Sequence, residues 1–265
     1  EVYEEDSACD GTTAQYAAQD LVDYGVYAIS GAACSGATLG AMEITHVAQI
    51  PQVAYPSTSP AITTADDDGY LFRVVPSDAQ QGLAIADLAM HYELESIALM
   101  YMTSNDYGAG SAEVIEEVLD AANIEICTRI GYDQDKTDFS DEVSEIKAGD
   151  CDSVVMVSYA TDGAAIIEEL RLQELAIPVI GGDGIADQSF LYEFADPSDA
   201  EGVFATRPVW NEETIEGDYF QADYSEKCDE EYGGGDCENG IYLHEAYDSV
   251  MILGRAIYAS GYSGL

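Results

Sequence analysis

Basic residues are nearly missing from this chain. Eight Lys and Arg stand against 52 Asp and Glu, a formal net charge of -44 over 265 residues. Phosphate contacts need Lys and Arg, so this balance excludes a nucleic-acid binder, and an anionic membrane would repel the chain for the same reason. Long apolar runs are also absent: none approaches the roughly 18 consecutive apolar residues of a membrane-spanning helix. The histidines, His46, His91 and His244, stand apart, and no two cysteines have CxxC spacing, so neither a structural zinc nor any other metal or cofactor is expected. The acidic stretch "DQDKTDFSDE" at 133–142 lacks the pattern of a calcium loop, because Asp138 stands at the required Gly and Ser144 at the closing position.

The acids are spread along the whole chain and not gathered in one tail, so they describe its surroundings more than a partner. Halophilic proteins carry such charge where salt shortens the Debye length to roughly 3 Å. A salt-adapted surface is therefore expected. Six cysteines fall by sequence into three local pairs: Cys9 with Cys34, Cys127 with Cys151, and Cys228 with Cys237. An even count suits an oxidising compartment, although sequence alone does not fix the pairing.

What the chain does contain is alternation. Apolar runs at 26–30, 51–55, 96–102, 153–159, 177–181 and 202–206 predict strands, and segments of helical period separate most of them. Ser77 and Asp78 precede "AQQGLAIADLAMHY" and Ser140 precedes "DEVSEIKAG", while Gly25 and Gly149 stand where helix stops belong. "GAGSAEVIEEVLDAANI" and "DGAAIIEELRLQEL" place aliphatic residues on one face and carboxylates on the other. Alternating strands and helices imply an α/β fold with parallel sheets. The acidic, Gly-rich "CDEEYGGGDC" at 228–237 is expected to be an exposed loop.

The turn "GAACSGAT", Gly31 to Thr38, lies between a strand and a helix. Ala37 occupies the P-loop Lys position, Ala33 replaces the second Gly of a dinucleotide fingerprint, and the G-x-S-x-G of a nucleophile elbow is lacking. A Ser or Cys hydrolase is the weakest alternative. Backbone N–H groups and the Ser35 hydroxyl at a helix start suit a small carboxylate, and a tight turn with a capping Ser is the plainer reading. Four further loops follow apolar runs: "AYPSTSPAIT" with Ser57 and Thr58, "NDYGAG" with Tyr107, "VSYATDG" with Tyr159 and "VIGGDGIAD" with Asp183. Ligands gather at such strand ends. Hydroxyl donors for an anion, an acid for a cation and aromatic walls together fit a zwitterionic amino acid, the tyrosines lining a pocket with their hydroxyls wet.

The ordered set "DSACDGTTAQYAAQDLV", "GAACSGAT", "PSTSPAIT", "GYLFRVVPSDAQQG", "YGAGSAEVIEEVLDAANIEI", "DFSDEVSEIKAGDCDSVVM" and "IGGDGIAD" resembles the type I periplasmic binding proteins, in the leucine/isoleucine/valine branch that serves ABC importers. The likeness implies a two-lobed Venus-flytrap fold, each lobe a mainly parallel sheet flanked by helices, with residues 1–76 plus 208–265 in lobe 1 and 77–207 in lobe 2. Crossings are expected near Pro76 and Arg207, a third beyond Leu265, in a chain truncated at both ends.

By the same likeness Cys9 and Cys34 form the lobe 1 disulfide. Ser35 and Thr58 hold a ligand α-carboxylate, the Ser57 carbonyl and Asp183 receive the ammonium, and Tyr107 and Tyr159 are lobe 2 contacts. The branch often carries Glu where Asp183 stands. The implied function is a periplasmic or extracellular monomer, not an enzyme, that delivers an amino acid to a membrane permease. A receptor ectodomain, or a binder of amides or small carboxylates, is the alternative.

The charge balance carries the first prediction. The unfolding temperature should rise steadily from low to molar salt; a midpoint independent of salt would remove the salt-adapted reading.

Overall fold

A computed structural model of the chain describes residues 1–134, 136–209, 214–232 and 240–261. By contact the chain divides into two units, Glu1–Ser77 with Tyr242–Leu265, and Asp78–Ile241. The first boundary lies one residue from the expected 76/77. The return lies at 241/242, not at 207/208, so of the residues expected in lobe 1 the described 208–209, 214–232 and 240–241 group with the second unit, where the Ile241 N–H donates to Asp187 Oδ2 at 3.0 Å.

The first unit begins with helix α1 (Gly11–Tyr24). Asp10 caps it by accepting from the Thr13 N–H, and Gly25 ends it in the left-handed conformation at φ 83°, which only Gly adopts without strain. Strands β1 (Ile29–Ser30), β2 (Gln52–Ala54) and β3 (Leu71–Arg73) form a parallel sheet in that order, with α2 (Ser35–Thr45) and α3 (Ala61–Thr64) in the connections. The helix Leu243–Ala259 returns to this sheet, where the Ser249 and Ser30 hydroxyls bond at 2.6 Å.

Small residues let α1 and α2 approach closely: Ala14 and Ala18 pack with Ala37 and Ala41. A Cβ on Gly40 would lie 2.1 Å from the Gly11 carbonyl oxygen. This approach brings Cys9 to Cys34 at the head of α2, and they form a disulfide with Cα atoms 5.3 Å apart. Buried Gln52 ties the sheet to α2, donating to Gly31 O and Thr38 O and accepting from Thr45 Oγ1, so no end of its amide is left unpaired in the interior.

The second unit is a five-stranded sheet of order β5-β4-β6-β7-β8, parallel at every pairing. Its strands are β4 (Ser96–Met102), β5 (Glu125–Tyr132), β6 (Ser153–Val157), β7 (Val179–Gly181) and β8 (Val203–Ala205). Central β6 is buried at all of its positions, as expected of a strand covered on both faces. Helices α4 (Asp78–His91), α5 (Asp106–Ala121), α6 (Ser140–Ala148), α7 (Ala160–Leu172) and α8 (Ser189–Tyr192) belong to this unit, as does α9 (Ile215–Tyr232). Ile85, Ile115, Leu119, Ile146, Ile166 and Ile167 bring the apolar stripes of α4 to α7 into one core with the sheet.

β3 and β5 were not among the predicted strands. β5 is an edge strand whose residues are mostly part-buried or exposed, so it shows no continuous apolar run. Cys127 on it pairs with Cys151, Cα atoms 5.8 Å apart. The expected exposed loop at 228–237 is corrected in its first half: residues 228–232 are the end of helix Ile215–Tyr232, with Cys228 buried on it, while Cys237, its expected partner, lies outside the described residues. No described helix is long and apolar enough to cross a membrane.

The α1–α2 approach carries a prediction. Gly40→Ala forces a Cβ into the Gly11 carbonyl, and the helices must separate, at a cost of about 2 kcal/mol or more. Urea unfolding of the variant beside the parent checks it, and an unchanged midpoint would show that the contact yields freely.

Candidate functional site

The candidate residues occupy two sets, one on each unit, and each set lies where strands end. In the first unit the turn after β1 runs into α2, with Cys34 at the N-cap and Ser35 as the first helical residue. The loop after β2 brings Ser57, Thr58 and Ser59 alongside because β1 and β2 are parallel neighbours. All of these serines and the threonine are buried. The Ser59 N–H donates to Ser35 Oγ at 3.2 Å. Ser57 turns its hydroxyl to the β1 turn, bonding Ala33 O at 3.0 Å, Ala32 O at 3.2 Å and Thr38 Oγ1 at 2.7 Å. The Ser57 side chain thus braces the two loops. Thr58 has no side-chain hydrogen bond among the described residues, and its carbonyl accepts from Arg73 Nη1 at 3.1 Å.

In the second unit β4, β6 and β7 are adjacent, and their ends supply Tyr107, Tyr159 and Asp183. Asn105 caps α5 by accepting from the Gly108 N–H at 2.7 Å, which fixes the turn that carries Tyr107. The Tyr107 and Tyr159 rings stack with centroids 5.3 Å apart and planes 16° from parallel. Tyr107 OH donates to Asp183 Oδ1 at 3.0 Å and accepts from the Gly184 N–H at 3.1 Å. Asp183 itself is 4% exposed.

The glycines beside Asp183 leave room for this contact. A Cβ on Gly182 would lie 2.8 Å from Tyr107 OH, and one on Gly184 would lie 2.3 Å from the Ser158 carbonyl oxygen. "G-D-G" is therefore the sequence signal of a close approach, which the spacing of apolar runs did not reveal. Tyr107 corrects one expectation: its hydroxyl is not wet. The ring is 3% exposed, and the hydroxyl is engaged inside the protein because Asp183 needs a donor where water is excluded.

Burial, then the charges of Asp183 and Asp78, hold the Tyr107 hydroxyl well above the ordinary tyrosine pKa, against a smaller opposing effect of the Gly184 N–H. Tyr159 is raised by burial first and then by Asp183, Asp162 and Asp78. Both rings therefore act as neutral hydroxyls.

Two residues that the sequence reading missed support Tyr159. Asp162, at the third position of α7, accepts the Tyr159 N–H at 2.9 Å and the Tyr132 hydroxyl at 2.5 Å. The available signal was "YATD", an acid three residues after the helix cap, as in a capping box. Burial raises the Asp162 carboxyl to about 6, although the Tyr132 hydroxyl and backbone N–H groups oppose the rise. Among the described residues no group of His, Cys, Asp and Glu is placed to hold a metal ion.

The sequence profile of the family described as "Receptor family ligand binding region" matches residues 1–261. The chain belongs to that family. A relative from Pseudomonas aeruginosa, named as a leucine-, isoleucine-, valine-, threonine- and alanine-binding protein, is 25% identical over 263 residues, 97% of this chain and 66% of that protein. The Leu/Ile/Val-binding protein of Escherichia coli K12 is 28% identical over 206 residues, 77% of this chain and 54% of that protein. The chain thus spans between about half and two thirds of these relatives.

The solved structure of the branched-chain amino acid transporter substrate-binding protein LivJ from Streptococcus pneumoniae, in complex with isoleucine, superposes with a TM-score of 0.81 at 24% identity. That likeness covers 97% of this chain and 71% of that one, and it shows the fold. Together these findings bear out the resemblance to the leucine/isoleucine/valine branch of type I periplasmic binding proteins and the two-lobed α/β fold that it implied.

Asp162 carries a pH prediction. Its folded pKa of about 6 lies above the ordinary 3.8, so the ionised form is disfavoured in the fold. The stabilisation from this group is complete below about pH 4 and is lost as pH rises through 6, by about 3 kcal/mol. Asp162→Asn should flatten that part of the stability profile, as read by unfolding midpoints between pH 4 and 7. An identical profile in parent and variant would rule Asp162 out as the group responsible.

Proposed function

We propose that this family member is the ligand-capturing part of an extracytoplasmic solute-binding protein for an amino acid of branched-chain or other apolar type. The observation that carries the reading is Asp183, a buried carboxylate at the strand-end edge of its sheet, oriented by a neutral tyrosine hydroxyl. Such an acid suits a ligand ammonium group, since a charge-assisted hydrogen bond in a desolvated place is stronger than one in water.

In this reading Ser35 and Thr58 donate to the α-carboxylate, the Ser57 carbonyl shares the ammonium with Asp183, and the Tyr159 ring meets the side chain. Tyr107 holds Asp183 and Tyr159 in place. The two sets are chemically complementary: hydroxyl donors on one unit, a carboxylate and aromatic faces on the other. A ligand that uses both would favour the closed arrangement of the lobes by its differential affinity. The protein then acts by binding, without turnover, as a monomer that presents its ligand to an ABC permease from the periplasmic or extracellular side. The names of the curated relatives support the ligand class.

A thermal-shift screen at molar salt with amino acids, amides and small carboxylates tests this. An amino acid at about 100 times its Kd should add about 2.7 kcal/mol of stability. The ligand should be recovered chemically unchanged, and Asp183→Ala should weaken binding by at least about tenfold. Equal affinity in Asp183→Ala, or no response to any amino acid from folded protein, would overturn the reading.

A further inference from the structure

The carboxylate half of the proposed site faces an electrostatic difficulty. With 52 acidic and eight basic residues, the field of the chain opposes an anion unless a cation lies close by. Arg73 is such a cation. It ends β3, and its Nη1 donates to Thr58 O at 3.1 Å and Ser59 O at 2.8 Å, while Nη2 donates to Thr63 Oγ1 on α3.

The Thr58 carbonyl and the Ser59 N–H belong to one peptide group. That same N–H donates to Ser35 Oγ. A continuous path thus runs from the guanidinium through the 58–59 peptide to the Ser35 hydroxyl, and hydrogen bonds in series polarise one another in the same sense. Because Ser35 Oγ already accepts, its hydroxyl proton is the group left to offer, and it is best offered to an anionic acceptor.

We propose that Arg73 is a positioning residue for carboxylate recognition, fixing the 58–59 peptide and biasing the Ser35 hydroxyl to donate toward an anionic ligand group. The inference rests on the amino-acid reading above. Arg is required because its planar fork spans two carbonyls and a hydroxyl together, whereas Lys offers a compact charge without that geometry.

The test compares the parent with Arg73→Lys and Arg73→Met, using L-leucine and L-leucinamide as probes. Leucinamide keeps the ammonium group and side chain but lacks the carboxylate. Affinities come from ligand-detected NMR, with unfolding midpoints taken on the same samples. Arg73→Met should weaken L-leucine by about tenfold or more and leucinamide much less, so the preference for the carboxylate form falls; Arg73→Lys should recover part of it. If Arg73→Met does not fold, Arg73→Gln, uncharged but able to donate, carries the same comparison.

Unchanged L-leucine affinity in the variants would overturn the proposal while leaving the amino-acid reading intact. Equal loss for both probes would do the same, since it would mean that Arg73 only supports the loop. A folded parent that binds no amino acid would overturn the reading itself, and this proposal with it.

Discussion

Parallel pairing of β4 with β6 and of β6 with β7 is the constraint on which the second set of site residues depends. Parallel neighbours end on the same edge, so the loops that follow them emerge side by side at the strand spacing of roughly 4.8 Å. Tyr107, Tyr159 and Asp183 come from three such loops and meet as a stacked pair of rings with a hydroxyl on a carboxylate. A different strand order would leave each of them a lone residue at a helix start. The same logic at smaller scale joins the turn after β1 to the loop after β2.

Hydroxyl and amide donors take the place of water around the buried acids of the second unit. Tyr107 serves Asp183, Ser111 serves Asp78 at 2.6 Å, and Tyr132 with the Tyr159 N–H serves Asp162. Each donor offsets part of the cost of burying its acid, so the acids are held in fixed orientations.

Much of the architecture was legible because strands covered on both faces must be apolar throughout. β4 and β6 are therefore visible as runs, and the loops after them as places where chemistry gathers. β5 was not legible, since an edge strand alternates and mixes Cys127 and Arg129 among its aliphatic residues. The candidate site residues were placed by their position after strands and by the family likeness. Their mutual contacts were not: whether a tyrosine hydroxyl faces water or a carboxylate depends on strand order, which local sequence does not carry. Arg73 and Tyr132 were not legible for a related reason, because each acts on a residue distant in the chain, whereas Asp162 had a local signal in its capping position after Tyr159.

Several of the few cations of this acidic chain donate to backbone carbonyls. Lys147 donates to the Gln173 carbonyl, Arg171 to the carbonyls of Leu175, Asp199 and Glu201, and Arg73 to those of Thr58 and Ser59. A carbonyl is a dipole with no net charge, so its attraction for a cation is short-ranged and directional. Mobile ions compete poorly for it, whereas they readily screen an exposed ion pair such as Arg129 with Glu116. Salt that screens the repulsion among surface acids leaves these loop anchors largely in force, so the local order of the connecting segments depends on ionic strength less than an exposed ion pair does.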